Sequence, residues 1–126
     1  MSTGNNLQGI FDRVAGHLLE QKRKSRGLLP NNRGVSCLYR GPDGLKCAAG
    51  VLIPDELYST SLEGTSFLSL PVDVKRSAGG IDQESVGLIK RLQSVHDTCE
   101  PIDWRMTLEG VARSFNLSAA ALEESS

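Results

Sequence analysis

The sequence predicts an α+β fold, a helix-rich single domain with a central β-hairpin, and three observations predict it. Apolar residues recur at three- and four-residue spacing in three long stretches. A Gly41-Pro42-Asp43-Gly44 turn separates two short apolar runs. The chain has 126 residues, 39% of them hydrophobic and 23% charged, which suffices for one ordinary core. No repeat, long linker or low-complexity tract divides it. The expected domain is 1–126, with short disordered tails at 1–6 and 123–126.

Leu7, Ile10, Phe11, Val14, Leu18 and Leu19 form the stripe of an amphipathic helix over 7–26. Its expected last turn carries Lys22, Arg23, Lys24 and Arg26, which suit the negative end of a helix dipole, and Gly27 offers a stop. Such a cluster could touch a phosphate backbone, but a solvated helix end explains it without a partner. Turn formers over 29–34 lead into two expected strands, 36–40 and 45–53. Pro42 suits the second turn position, Asp43 the third, and Gly44 the left-handed residue that follows. This loop sets Gly41 opposite Leu45 and Arg40 opposite Lys46. With a side-chain period of two, Tyr39 then faces Cys47 and Cys37 faces Ala49. One face reads Cys37, Tyr39, Cys47, Ala49, Val51, Ile53 and belongs on the core, against the first two long helices.

Pro54 opens a short helical turn over 54–58, with Asp55 and Glu56 near its positive end. Residues 59–80 show no period and are expected to be irregular. Asp82 or Ser85 caps the second long helix, whose stripe is Val86, Leu88, Ile89, Leu92, Val95 and Cys99, ending before Pro101. Over 102–115, Trp104, Leu108, Val111, Ala112 and Phe115 share a face, with Asp103 as cap. Asn116 is a left-handed terminator, and Ser118 caps a final short turn.

Fourteen Lys and Arg against fifteen Asp and Glu leave a net charge of −1, so no whole-molecule field draws the chain to nucleic acid or an acidic membrane. No apolar stretch approaches the roughly 18 residues a bilayer span needs. Three cysteines make no disulfide framework, and the first residues lack a basic segment followed by an apolar one. A cytoplasmic protein with reduced thiols is expected.

Cys37, Cys47, His96 and Cys99 are potential zinc ligands, but Cys37 and Cys47 would be diagonal neighbours across strands, not a Cys-x-x-Cys knuckle. A thiol nucleophile needs a histidine within reach, and nothing in the sequence brings His17 or His96 to a cysteine. The zinc- or thiol-dependent reading is therefore the alternative, and no cofactor is expected. Residues 107–122 resemble half of a helix-turn-helix, yet the second helix offers Ala119, Ala120, Ala121, Glu123 and Glu124, which cannot read base edges. DNA regulation is a further alternative. Arg40 and Lys46 are more suggestive: like charges directly opposite on a ladder ask for an anion. Asp55 or Glu56 could supply it internally, or an acidic partner or phosphate-bearing ligand could. Candidate binding residues are Arg40, Lys46, Asp55, Glu56 and Tyr58.

The run from Cys37 to Tyr58, followed by Leu62-Glu63-Gly64, resembles a family of small proteins encoded by tailed bacteriophages and prophage-bearing bacteria, for which no activity is established. Cys37, Tyr39, Arg40, Gly41, Gly44, Lys46, Cys47, Gly50, Pro54, Asp55 and Tyr58 match its motif, and Glu63 and His96 match weaker positions. The resemblance spans most of 7–115, departing from the family in the Asn-rich segment before Cys37 and over 69–80. It implies an accessory protein of phage or prophage in the host cytoplasm. With no catalytic constellation visible, the expected function is non-enzymatic: binding a host protein or small anionic ligand to modulate host physiology or defence.

Overall fold

The stripe beginning at Leu7 folds as helix α1, Thr3–Gln21, in a computed structural model that describes residues 3–29 and 34–124, with side chains described for 7–29 and 34–122. Of the expected tails and the 29–34 loop, residues 1, 2, 30–33, 125 and 126 lie outside the described residues. The helix stops before its expected basic end. Lys22 turns left-handed at φ 59°, and the cations that follow lie in an extended connector and in strand β1, Arg26–Leu28. Gly27, expected as the stop, is inside that strand. β1 pairs antiparallel with β2, Val35–Cys37, in register Arg26↔Cys37, Gly27↔Ser36 and Leu28↔Val35. The two-stranded sheet therefore lies one segment earlier than the expected hairpin.

The expected pairing of 36–40 with 45–53 survives only at its turn. Arg40 and Lys46 form an isolated antiparallel bridge, as the loop length requires, and Gly41 N–H reaches Leu45 O at 2.8 Å. Asp43 itself takes the left-handed conformation, at φ 60°, which a short polar side chain tolerates. Beyond Cys47 the chain is not a strand: Ala48–Leu52 is helix α2. A short apolar run buried on all sides has no periodicity that separates helix from strand, and its two alanines and leucine favour the helix. Ala48, Ala49, Gly50 and Leu52 are all buried, and Gly50 sits so close to the backbone at Tyr39 that an added Cβ would lie 2.0 Å from Tyr39 O. The apolar hairpin face expected through Val51 is thus a helix packed on an extended segment.

Pro54 precedes the expected turn, a 3₁₀ helix at Asp55–Leu57. Residues 59–80 are more ordered than their lack of period suggests: 3₁₀ turns at Thr60–Leu62 and Phe67–Ser69 lead to helix α3, Val72–Ser77. Leu62, Phe67, Leu70, Val74 and Ala78 are buried, so this segment lays one apolar side chain after another onto the core. Helix α4, Gln83–Thr98, opens with Asp82 Oδ1 accepting Ser85 N–H at 2.8 Å and Ser85 Oγ accepting Asp82 N–H at 3.1 Å, so the two residues expected as alternative caps act together as a reciprocal one. Helix α5, Trp104–Ser114, buries Trp104, Leu108, Val111 and Ala112. Asn116 is left-handed at φ 57°, and Ser118 Oγ accepts Ala120 N–H at the start of helix α6, Ala120–Glu124.

The core is a helical cluster in which α1 packs on α2, α4, α5 and α6, and α4 packs on α2 and α5. The order is helix-rich α+β, as expected. Among the described residues no helix is long and apolar enough to cross a membrane. The helix-turn-helix-like corner is tied down: Leu122 is buried, and Gln8 of α1 clamps Ser118 by accepting its N–H and donating to its carbonyl.

The close approach at Gly50 makes a stability prediction. Gly50→Ala should cost about 3 kcal/mol or more, or prevent folding, because a backbone carbonyl must move. Gly87→Ala in α4, where nothing lies within 4 Å of the added carbon, should raise stability by about 0.5–1 kcal/mol. Urea unfolding of both variants checks the contrast.

Candidate functional site

Helix α4 places His96 fully buried, its ring stacked on Trp104 with centroids 5.7 Å apart. The Ser25 N–H points at Nε2 across 2.8 Å, so Nε2 accepts. The ring proton therefore resides on Nδ1, which donates to Asp97 Oδ1 at 2.8 Å. Gln93 Nε2 donates to the same oxygen at 2.9 Å, while Gln93 Oε1 accepts Ala49 N–H and caps α2 from α4. The Cys37 thiol is a further hydrogen-bond partner of this carboxylate. Burial acts to raise the Asp97 carboxyl, but the donors from His96, Cys37 and Gln93 outweigh it and hold the group below the usual carboxylate range.

Asp97 lines a cleft of about 640 Å³ between the α4 face carrying Lys90, Gln93, Ser94 and Thr98 and the segment 64–68. Tyr39 and Phe67, both largely buried, give it apolar wall, and Tyr39 Oη donates to Thr65 O at 2.5 Å, which pins the segment to the chain after β2. Burial first, and the nearby Glu63 and Asp97 carboxylates after it, raise the Tyr39 phenol above its ordinary value. The cleft is a concave seat with a few fixed polar groups, the usual form of a small-molecule site.

The thiols do not form the zinc set expected as an alternative. The ligand atoms of Cys37, His96 and Asp97 lie within 4.8 Å of one another, while Cys47 and Cys99 fall outside that group and Asp97 enters it. A metal there would need a lone pair on His96 Nδ1, which carries the proton. Thiol nucleophilicity is opposed as well. Burial and the Asp97 hydrogen bond push the Cys37 thiol from 9.0 up to about 11, and burial pushes Cys47 up to about 12. All three cysteines are free. Both His96 nitrogens are committed, Nε2 to the Ser25 N–H and Nδ1 to Asp97, so neither is left to take a thiol proton as a base.

Of the residues expected to bind an anion, Arg40, Asp55 and Tyr58 come together. Arg40 Nη1 is 2.8 Å from Asp55 Oδ1, Nη2 donates to Ile53 O at 2.7 Å, and the guanidinium carbon lies 5.0 Å from the centre of the Tyr58 ring. Asp55 thus supplies the anion internally. Lys46 faces Arg40 only through the backbone bridge; its N–H and C=O are both held by the Gln21 amide, at 2.9 and 3.0 Å. Glu56 is exposed and stands apart. Sequence reasoning missed the centre of this knot, Glu63. Its buried carboxylate accepts Tyr39 N–H at 2.8 Å, Arg40 N–H at 3.1 Å and Tyr58 O–H at 2.6 Å. Sequence reasoning also missed Asp97 and Lys90, which periodicity places with His96 and Val86 but cannot aim.

No family model, curated protein or solved structure matches the chain.

The two cations opposite each other should behave differently. Arg40→Gln should cost about 1.5–3 kcal/mol, the range for hydrogen bonds to a charged group, while Lys46→Gln should stay within about 0.5 kcal/mol. Denaturant melts read both. Asp97 should shape the acid limb of stability. Its folded pKa is depressed, so its contribution is present above the unfolded carboxyl value of about 3.9 and is lost as pH falls through the folded value. Asp97→Asn should therefore be less stable than wild type near neutrality, with the gap closing as pH drops below about 4. Urea midpoints across pH measure it.

Proposed function

We propose that the protein is a non-enzymatic binding module whose ligand seat is the cleft beside α4. One observation carries the reading: a carboxylate oriented by three neutral donors forms part of the wall of a cleft of ligand size, and no activated nucleophile accompanies it among the described residues. Preorganised polar groups on a rigid helix supply specificity at small entropic expense. Arg40 is already neutralised by Asp55, so the cation available to an anionic ligand is Lys90 at the cleft, not the Arg40 and Lys46 pair. The resemblance to phage and prophage proteins supports an accessory role in the host cytoplasm, in which the ligand or partner is the host's and its capture modulates host physiology or defence.

A host protein as partner is the second reading, favoured by Leu28 and Val35. These register partners on the two-stranded sheet are 72% and 60% exposed.

Ser94 is exposed on α4 and lines the cleft, so Ser94→Trp fills the seat without touching the core. A thermal-shift screen of host metabolites should give hits with wild type that vanish with Ser94→Trp, while the unliganded melting temperature moves by no more than about 3 °C. Hits that survive Ser94→Trp contradict the seat. Capture of a host protein that is lost with Val35→Asp and kept with Ser94→Trp establishes the second reading in its place.

A further inference from the structure

The cleft carries one charge of each sign, and among the described residues neither is ion-paired with a Lys, Arg, Asp or Glu. Asp97 keeps a side chain 35% exposed; its Oδ1 is taken by Gln93 and His96, its third partner is the Cys37 thiol, all neutral donors, and its Oδ2 accepts no N–H or O–H from the described residues. Lys24, a cation on another part of the chain, spends its ammonium on the Asp97 backbone carbonyl at 3.4 Å and on Glu100 at 3.6 Å. Lys90 lines the same cleft, and among the described residues it forms no ion pair. Seven residues separate the two on α4. That is nearly two turns, so they share a face, about 10 Å apart along the axis. The lining also brings the apolar side chains of Phe67, Leu68 and Tyr39 to the same cleft.

A singly charged anion in this seat would meet Lys90 at one end and the fixed Asp97 carboxylate at the other. A singly charged cation would meet the reverse. On the reading that the cleft is the ligand seat, we infer that it takes a small zwitterion: an ammonium or comparable N–H-rich head on Asp97 Oδ2, an anionic end on Lys90, and an apolar body lying against Phe67. The anionic ligand of the proposed function is, in this form, one that also carries a donor head. Gln93 and His96 do the positioning. They hold Oδ1 of a carboxylate that lines the cleft, and Cys37, kept as a thiol, is a neutral neighbour that leaves the charge on Asp97 uncompensated.

The test compares three probes with the same carbon chain, ε-aminocaproate, hexylamine and hexanoate, by calorimetry on the intact protein. ε-Aminocaproate should bind at least about fivefold tighter than either singly charged analogue, a difference that added salt erodes. Lys90→Gln should bring ε-aminocaproate down to hexylamine, and Asp97→Asn, which keeps an oxygen for Gln93 and His96, should bring it down to hexanoate. Lys90 is exposed, so that variant reads the site even if Asp97→Asn folds poorly. Equal affinity for all three probes, no binding of ε-aminocaproate, or a preference that survives Lys90→Gln would overturn the zwitterion. If the metabolite hits are lost with Ser94→Trp yet ignore Lys90→Gln, the seat stands and only this ligand class falls. ε-Aminocaproate bound equally by Ser94→Trp would remove the seat itself.

Discussion

A hydrogen bond from the Ser25 backbone to the buried ring of His96 holds two otherwise distant parts of the chain together, and much of the molecule is arranged around it. Ser25 is wholly buried, so its N–H must find a partner or forfeit about 1–3 kcal/mol. With that N–H committed to α4, the carbonyl of Ser25 accepts Leu38 N–H and its hydroxyl donates to Leu38 O, at 2.8 Å each. The segment carrying Tyr39 and Arg40 is thereby laid beside β1, so tightly that a Cβ on Gly41 would lie 2.6 Å from Ser25 Oγ. The same histidine donates its Nδ1 proton to Asp97, whose side chain lines the cleft. Fold and candidate site meet in one side chain.

Glu63 plays the matching role on the opposite side of Tyr39. Three donors converge on its two oxygens, two of them the backbone N–H groups of a segment whose sheet partner is lacking at that point. Gln21 does the same for Lys46 through its amide. Side chains thus take the place of the strand that 45–53 does not form, and this is why a hairpin reduced to a single bridge can hold its register.

These substitutions for backbone pairing mark where the sequence was legible and where it was not. The three long helices follow from a stripe each, and the Asp82 cap and the left-handed Asn116 from local chemistry that needs no tertiary context. The Arg40↔Lys46 register was readable because a short turn has few closures. Ala48–Leu52 was not, since burial on every side erases periodicity, and neither was β1, whose Arg-Gly-Leu has no strand signature until Val35–Cys37 pairs with it. Of the site, Cys37 and His96 stand out by residue type alone. Asp97 and Glu63 look like ordinary surface acids in sequence; only the fold reveals that one is half-buried under neutral donors and the other almost wholly enclosed. The thiols drew notice as potential ligands, and burial raises Cys37 and Cys47 so that they stay protonated packing groups.

The central claim is that His96 is a tether with both nitrogens committed. Ring-nitrogen NMR of the folded protein tests it most directly. The account predicts a single tautomer with the proton on Nδ1, and an Nε2 resonance that shows coupling to the Ser25 amide across the hydrogen bond. A proton on Nε2, alone or together with Nδ1, would contradict it, because the Ser25 N–H would then face a donor.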